Sequence, residues 1–92
     1  MTLPTKYKQQ LKAQAHKLKP IVLIGNNGLT EAVQNEIEHA LNDHELIKIK
    51  VAAKDRESKR EIIHNVCQER RAELVQIIGN IGVIYRKNIA VA

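Results

Sequence analysis

The 92-residue chain has no phenylalanine, no tryptophan, two tyrosines and one cysteine. This composition argues against protein modules that stack RNA bases on aromatic side chains, and it effectively excludes an RRM. One cysteine cannot form an internal disulfide, which argues against a small secreted scaffold and favours the reducing cytoplasm. No apolar run approaches the roughly 18 residues of a membrane span. We therefore expect a cytoplasmic protein without a signal peptide or a membrane segment.

Length and charge narrow the class of protein further. Ninety-two residues, 43% of them hydrophobic, favour a single domain over residues 1–92, with a core of about residues 2–88. The net charge is +5, and residues 1–20 carry five lysines and no acid. Concentrated positive charge favours a polyanion, with nucleic acid first and an acidic membrane or protein second. The alternative is the ordinary surface of a modestly basic protein.

The first half of the chain predicts a helix, a strand and a second helix. Residues 5–18 place apolar side chains at helical spacing, from Pro4 to a stop at Pro20. The apolar run 20–25 is typical of a strand buried on both faces. Apolar residues then recur every fourth position from Leu29 to Leu41, with Thr30 as the N-cap.

The second half predicts two more strands after a third helix, and one strand before it. Residues 45–53 alternate, with Lys48 and Lys50 on a basic face. Ser58 to Glu61 matches a capping box that opens the helix, and residues 73–79 and 82–87 form a hairpin. The fold class is α/β in the order α-β-α-β-α-β-β, with a mixed four-stranded sheet. Its crossovers should join adjacent parallel strands, and its hairpin should be antiparallel.

Two G-x-x-G tetrads stand out, in different contexts. Gly25-Asn26-Asn27-Gly28 separates the first strand from the second helix, where backbone amides could face an anion and a phosphate chain could approach closely. A structural turn is an equally good explanation of this tetrad. For Gly79-Asn80-Ile81-Gly82, between two strands, turn geometry is the simpler explanation.

Signals for catalysis are weak. Neither glycine tetrad is a P-loop or a dinucleotide-binding motif. The four histidines are scattered without the spacing of a zinc site, and Cys67 falls on the apolar face of a helix, as a buried inert thiol would. We therefore expect no enzymatic activity, no cofactor and no metal.

An ordered set of motifs resembles one known family. The motifs are the segments Ala15-His16-Lys17-Leu18-Lys19-Pro20, Ile24 to Thr30, Glu45 to Lys50, Val75 to Gly79 and Ile84-Tyr85-Arg86. In this order they resemble the CRM domain, specifically the bacterial stand-alone YhbY family, over about residues 2–88. The resemblance implies an RNA-binding domain similar in fold to the C-terminal domain of translation initiation factor 3. It also implies association with precursor large-subunit ribosomal RNA during ribosome assembly, without enzymatic activity.

The resemblance makes Gly25, Asn26, Asn27 and Gly28 the RNA-contact loop. That loop carries no Lys or Arg, so positive charge must come from elsewhere. Our hypothesis assigns it to Lys8, Lys12, Lys17, Lys19, Lys48, Lys50, Arg86 and Lys87. If five of these reach phosphates of single-stranded RNA, log K should fall with log salt at a slope of roughly −3.5.

With two tyrosines as the only aromatic residues, both at apolar positions, recognition of RNA shape or backbone is favoured over base stacking. The protein is expected to act as a monomer. The alternative function is a protein-docking module for a ribosomal protein or an assembly factor.

Overall fold

Seven elements follow one another in the predicted order. The computed structural model describes residues 4–88, so the ends of the predicted domain, 1–3 and 89–92, lie outside the described residues. The elements are α1 (Thr5–Ala15), β1 (Pro20–Ile24), α2 (Glu31–His44), β2 (Leu46–Val51), α3 (Arg56–Arg70), β3 (Glu73–Ile78) and β4 (Ile81–Tyr85). The predicted α/β class and element order are confirmed.

The four strands form one mixed sheet in the order β1-β2-β4-β3. β1 and β2 are parallel, and β4 is antiparallel to both β2 and β3. The expectation of adjacent parallel strands is confirmed for β1 and β2 but is wrong for β2 and β3, because β4 folds back between them. The strands β1, β2 and β3 therefore all finish at one end of the sheet. We call it the GxxG end, since residues 25–28 follow β1 there.

Helices α2 and α3 cover one face of the sheet and enclose the larger core. Its fully buried isoleucine and leucine side chains are Ile24, Ile37, Leu41, Ile47, Ile49, Ile63 and Ile84. Removing a side chain of this size from water contributes roughly 1.5–3 kcal/mol. The two helices and the strands beneath them thus supply most of the apolar burial.

Helix α1 packs on the opposite face and covers only part of it. Leu11 and Ala15 form a second buried cluster with sheet residues that include Leu46, Val83 and Tyr85. Leu46 begins β2 and Tyr85 ends β4, so both lie at the end of the sheet opposite the GxxG end. Helix α1 consequently crosses the sheet at that opposite end and leaves the part nearest the GxxG end uncovered.

The uncovered area corrects one prediction about β1. The strand was expected to be buried on both faces, but only Val22 and Ile24 are buried, whereas Ile21 is 48% and Leu23 58% exposed. β1 is an edge strand, paired with β2 alone, and α1 does not extend over its outer half. A continuous apolar run therefore places half of its side chains on an open surface.

Helix α1 is shorter than the apolar spacing predicts. It ends at Ala15 instead of residue 18. After it, two backbone hydrogen bonds span three residues instead of four: Leu18 N–H donates to the Ala15 carbonyl at 2.9 Å, and Lys17 N–H donates to the Gln14 carbonyl at 3.3 Å. Such i to i+3 bonds commonly tighten a last helical turn. Pro20 also disfavours helical backbone in the residue before it.

Helix α3 begins earlier than predicted. The capping box at Ser58 is wrong, because Asp55 is the N-cap and its carboxylate accepts the Ser58 N–H at 3.4 Å. A carboxylate at this position satisfies a free amide and interacts well with the helix dipole. The predicted cap of α2 is confirmed, since the Thr30 hydroxyl accepts the Val33 N–H at 3.2 Å.

The second glycine tetrad divides between a turn and a strand. Gly79, at φ +55°, and Asn80 form the β3–β4 turn, whereas Gly82 lies within β4. A Cβ at position 82 would stand 3.0 Å from Ile63 Cδ1 and 3.3 Å from Ile49 Cγ1. Gly82 is thus required by close packing of α3 on the sheet, which the turn interpretation did not include.

We predict that Gly82→Ala destabilises the protein by about 1–3 kcal/mol through overpacking. Ile63→Val removes the closest methyl group and should cost about 0.5–1.5 kcal/mol alone. In urea unfolding, the double variant should lose less stability than the two single losses added together. Strict additivity would show that the side chain at position 63 does not limit the space at position 82.

Candidate functional site

The Gly25–Gly28 loop is a hydrogen-bonded turn at the exposed end of β1. Gly28 N–H donates to the Gly25 carbonyl at 3.0 Å, and Thr30 N–H donates to the Gly28 carbonyl at 3.0 Å. The Ala52 N–H donates to the Ile24 carbonyl at 2.9 Å, which fixes the start of the loop against the end of β2. Asn26 and Asn27 are exposed at its tip. The loop is therefore presented to solvent from a fixed base.

The structure requires glycine at one of the two glycine positions of this loop but not at the other. Gly28 has φ +73°, a conformation that other residues rarely adopt. Gly25 has no positive φ, and a Cβ built there meets no atom within 4 Å. Neither backbone strain nor internal packing requires glycine at position 25. What its small size does provide is room for another molecule to approach the backbone.

Beside the loop, the part of the sheet not covered by α1 forms a continuous surface. We call it the open sheet face, and it comprises Ile21, Leu23, Lys48, Lys50, Ile78 and Ile81. Strand pairing places Leu23, Lys50, Ile81 and Ile78 in one row across all four strands. Leu23 and Ile78 are both more than half exposed. The predicted basic face of β2 is confirmed and lies between apolar neighbours.

Lysines of α1 and of the following connection border this surface. Gln14 lies toward the start of β2, because it lines a cleft of about 310 Å³ with His44 and Leu46. Lys8 and Lys12 lie on the other flank of α1, given 100° per residue, and so face the open sheet face. Lys19 lines the same cleft beside Ile21. The structure thus gathers Lys8, Lys12, Lys19, Lys48 and Lys50 around one surface.

None of these five lysines forms an ion pair with any residue from 4 to 88. The open sheet face itself contains no acidic side chain. Lysines on a shared surface without acidic partners produce a positive potential, which attracts polyanions. The surface therefore combines positive charge, exposed aliphatic groups and an adjacent glycine loop.

Two of the predicted lysines lie elsewhere. Lys17 lies in the connection between α1 and β1, at the end of the sheet opposite the loop, and unlike Lys19 it does not line the cleft beside Ile21. Lys87 follows β4 at that same end and is exposed. A role for Lys17 and Lys87 in binding stays a prediction. The structure does not bring them together with the Gly25–Gly28 loop.

Arg86 is held by protein groups. Its guanidinium donates two hydrogen bonds to Glu38, at 2.8 and 3.1 Å, and one each to the Asn42 side chain at 2.7 Å and the Arg70 carbonyl at 2.9 Å. The Arg86 side chain is only 18% exposed. A guanidinium so engaged joins the end of β4 to α2 and α3. We therefore leave Arg86 out of the proposed interface.

The two tyrosines contact each other. Their hydroxyls are 2.8 Å apart, and their rings meet edge to face with centroids 5.7 Å apart. The hydrogen bond with Tyr7, together with burial, raises the pKa of Tyr85 to about 12. Tyr85 is a core residue that fastens α1 to the sheet, in agreement with the prediction that it is not a stacking platform.

Other reactive groups form no second site. Cys67 is buried as predicted, and burial raises the pKa of its thiol to about 11, which makes it a poor nucleophile. Among residues 4–88 no three histidine, cysteine or acidic side chains are placed to share a metal ion. In the same range, no helix combines the length and apolarity needed to cross a bilayer.

Sequence reasoning missed the apolar part of the site. Ile21 and Leu23 were assigned to a core, and their exposure follows only from where α1 ends. The row that joins Leu23 to Ile78 depends on β4 lying between β2 and β3. The unbroken apolar run of β1 is the one sequence signal that could have indicated this exposed apolar surface. Such a run does not distinguish a buried strand from an exposed one.

Sequence comparison identifies one protein family and relatives that are named for RNA binding. The sequence profile of the family described as the CRS1/YhbY (CRM) domain matches residues 3–86. A Haemophilus influenzae protein named as an RNA-binding protein is 59% identical over 85 residues, which are 92% of this chain and 86% of that protein. A Pseudomonas aeruginosa protein, whose name gives RNA binding as probable, is 47% identical over 88 residues, 96% of this chain and 85% of that protein.

A solved structure is similar in fold and sequence. It is the solution structure of a hypothetical protein of Staphylococcus aureus, described as an RNA-binding candidate. The TM-score is 0.85 at 36% sequence identity, and the match covers 97% of this chain and 93% of that one. The chain is therefore similar to that protein in both sequence and fold over nearly its whole length.

Because Gly28 has a positive φ and Gly25 does not, replacing each of these glycines should affect stability differently. Gly28→Ala should lose about 1–2 kcal/mol, because an alanine is strained at positive φ. Gly25→Ala should be neutral or gain up to about 1 kcal/mol, because it meets no atom and restricts the unfolded chain. Thermal unfolding of both variants checks this. A large loss for Gly25→Ala would indicate that Gly25 is a structural glycine.

The Glu38–Arg86 contact predicts a pH dependence. Hydrogen bonds from Arg86 hold the pKa of the Glu38 carboxyl below its usual value. Because the folded-state pKa is the lower one, this contribution to stability is complete above about pH 4.5 and is lost as the pH falls. Glu38 is 37% exposed, so solvent screening limits the contribution to about 0.5–1 kcal/mol.

In urea unfolding, Glu38→Gln should therefore be less stable than the wild type at pH 7, and the difference should shrink as the pH falls below about 4.5. A difference that stays constant down to pH 3 would contradict this assignment.

Proposed function

The chain belongs to the CRS1/YhbY (CRM) domain family, and on this premise we propose that it binds RNA through the open sheet face and the Gly25–Gly28 loop. The observation that carries the proposal is the gathering of five lysines without acidic partners around one surface next to this loop. Relatives named for RNA binding support RNA as the class of ligand.

The chemistry of the surface indicates how RNA would be held. Lysine ammonium groups donate charge-assisted hydrogen bonds to phosphate oxygens, with Lys48 and Lys50 at the centre and Lys8, Lys12 and Lys19 at the border. The small Gly25 lets the sugar-phosphate chain approach the loop backbone. Leu23 and Ile78 offer aliphatic contact to sugars and bases but no aromatic stacking. The arrangement favours recognition of RNA shape and backbone.

Within RNA, we propose precursor large-subunit ribosomal RNA as the partner, bound in the cytoplasm during ribosome assembly. The protein would act as a monomer and would catalyse no reaction. Support comes from the ordered motifs that resemble the stand-alone YhbY proteins, from Ala15–Pro20 to Ile84–Arg86. Because the proposed contacts are electrostatic and steric, no cofactor is needed.

A protein-docking function is the competing proposal. One observation favours it: Ile21, Leu23 and Ile78 expose aliphatic groups on the same surface. A docking surface for an acidic protein would use the same lysines. The two proposals differ in whether the Gly25–Gly28 loop contacts the partner. They also differ in whether RNA or another protein is recovered with the tagged protein from cells.

Removing charge at the centre of the open sheet face should weaken RNA binding. For wild-type protein and a single-stranded RNA, five phosphate contacts predict a salt slope of roughly −3.5. The variant Lys48→Gln/Lys50→Gln should reduce the magnitude of the slope by roughly 1.4, which corresponds to about a 25-fold loss of affinity at 0.1 M salt. Fluorescence anisotropy across a series of salt concentrations measures both quantities.

The matched control is Lys6→Gln/Arg71→Gln, which also lowers the net charge of +5 by two. Lys6 lies on the side of α1 turned away from the open sheet face, and Arg71 caps the far end of α3. Equal losses in the two variants would show that only net charge matters and would contradict the proposed surface.

The partner is tested by sequencing RNA recovered with the tagged protein from gently lysed cells. Wild-type protein should enrich precursor large-subunit RNA, and Lys48→Gln/Lys50→Gln should lose that enrichment. Recovery of one defined protein without RNA would support the docking function instead.

A further inference from the structure

A basic cleft lies at the GxxG end, on the face of the sheet opposite the open sheet face. Its lining residues are Arg56, Lys59 and Arg60 of α3, Ile77 of β3 and Gly79 of the β3–β4 turn, and its volume is about 440 Å³. No acidic side chain lines it. Three cations thus surround a space large enough for a phosphate group.

The three cations are placed where folding alone disfavours them. Arg56 is three residues from Lys59 and four from Arg60, so like charges stand one turn apart on one side of the helix. They also occupy the first turns of α3, where the helix dipole disfavours positive charge. A structural role does not account for this arrangement, whereas a bound anion would.

Neighbouring acids do not neutralise the cluster. Glu61 lies on the other side of α3 by helical spacing. Glu57 lies one turn from Arg60, but it does not line the cleft. Asp55 lies near Lys59, but its carboxylate is engaged as the N-cap of the helix. Within residues 4–88, Arg56, Lys59 and Arg60 form no ion pair.

The cleft and the open sheet face are separated only by the end of the sheet. Ile78 belongs to the open sheet face, and its neighbour Ile77 lines the cleft. The turn between the two faces presents Gly79, where a Cβ would meet no atom within 4 Å. A chain lying on the open sheet face can therefore pass over this turn into the cleft.

We propose that the cleft binds a backbone phosphate of the same RNA that occupies the open sheet face. This inference rests on the proposed function and extends it to a second face of the sheet. With strands about 4.8 Å apart, the ends of β1 and β3 are separated by roughly 14 Å. One RNA strand would thus be held at both sides of the GxxG end, by the Gly25–Gly28 loop and by the cleft.

The test is the affinity of Arg56→Gln/Arg60→Gln for a mixed-sequence single-stranded RNA of about 16 nucleotides. Loss of one phosphate contact should reduce the magnitude of the salt slope by roughly 0.7 and the affinity about fivefold at 0.1 M salt. Thermal unfolding should show a melting temperature at or above that of the wild type, because like-charge repulsion is relieved. Lys59→Gln is a second variant with the same expected direction.

The control is again Lys6→Gln/Arg71→Gln, which has the same net charge as Arg56→Gln/Arg60→Gln, and Lys6→Gln alone is the control for Lys59→Gln. If Arg56→Gln/Arg60→Gln and Lys59→Gln bind like their controls while Lys48→Gln/Lys50→Gln binds weakly, the cleft is not part of the interface and the inference is overturned. The proposed function would survive that result. If no variant differs from the control, the proposed function fails and the inference fails with it.

Discussion

The contact of α1 with the sheet is the interaction on which the rest of the surface depends. Leu11 and Ala15 bury the apolar side of the helix against the end of the sheet where β2 begins, and Tyr7 bonds to Tyr85 across the same contact. A sheet of this kind needs cover on both faces, and two helices already cover the other one. A single eleven-residue helix cannot cover the whole remaining face. Its position therefore decides which part stays open.

What stays open lies beside the Gly25–Gly28 loop, and this adjacency gives the fold its proposed function. The loop has the space to admit a phosphate chain but carries no positive charge. The charge comes from β2, at Lys48 and Lys50, and from lysines on and after α1. Loop and lysines are distant in sequence, and strand pairing and helix placement bring them together. An interface distributed in this way binds RNA only when the domain is folded.

Local patterns in the sequence predicted the elements well, because capping, periodicity and turn residues act over a few positions. Thr30 and the alternation around Lys48 and Lys50 are examples. Sequence patterns did not predict features that depend on tertiary placement. Leu23 looked like a core residue, Gly82 like a turn residue and Arg86 like a surface cation. Their roles follow from how far α1 extends, from the contact with Ile63 and from the approach of Glu38.

The candidate site shows the same division. The resemblance to the YhbY family identified the loop, and the charge of the sequence suggested the lysines, but neither showed which lysines share a surface. Helix placement, strand pairing and the cleft beside Ile21 separate Lys8, Lys12, Lys19, Lys48 and Lys50 from Lys17 and Lys87. The cluster of Arg56, Lys59 and Arg60 was not predicted, because the third helix was expected to begin at Ser58 and α3 begins at Arg56. Its relation to the β3–β4 turn became evident only from the fold.

The central claim is that RNA occupies the α1 side of the sheet at the GxxG end. The most direct measurement is an NMR titration of ¹⁵N-labelled protein with single-stranded RNA. The account predicts that the largest amide shifts fall in Gly25–Gly28, at Leu23, Lys48 and Lys50, and at Ile78–Ile81, with small shifts along the exposed side of α2. Shifts confined to α2, or to the region of Arg86, would contradict it.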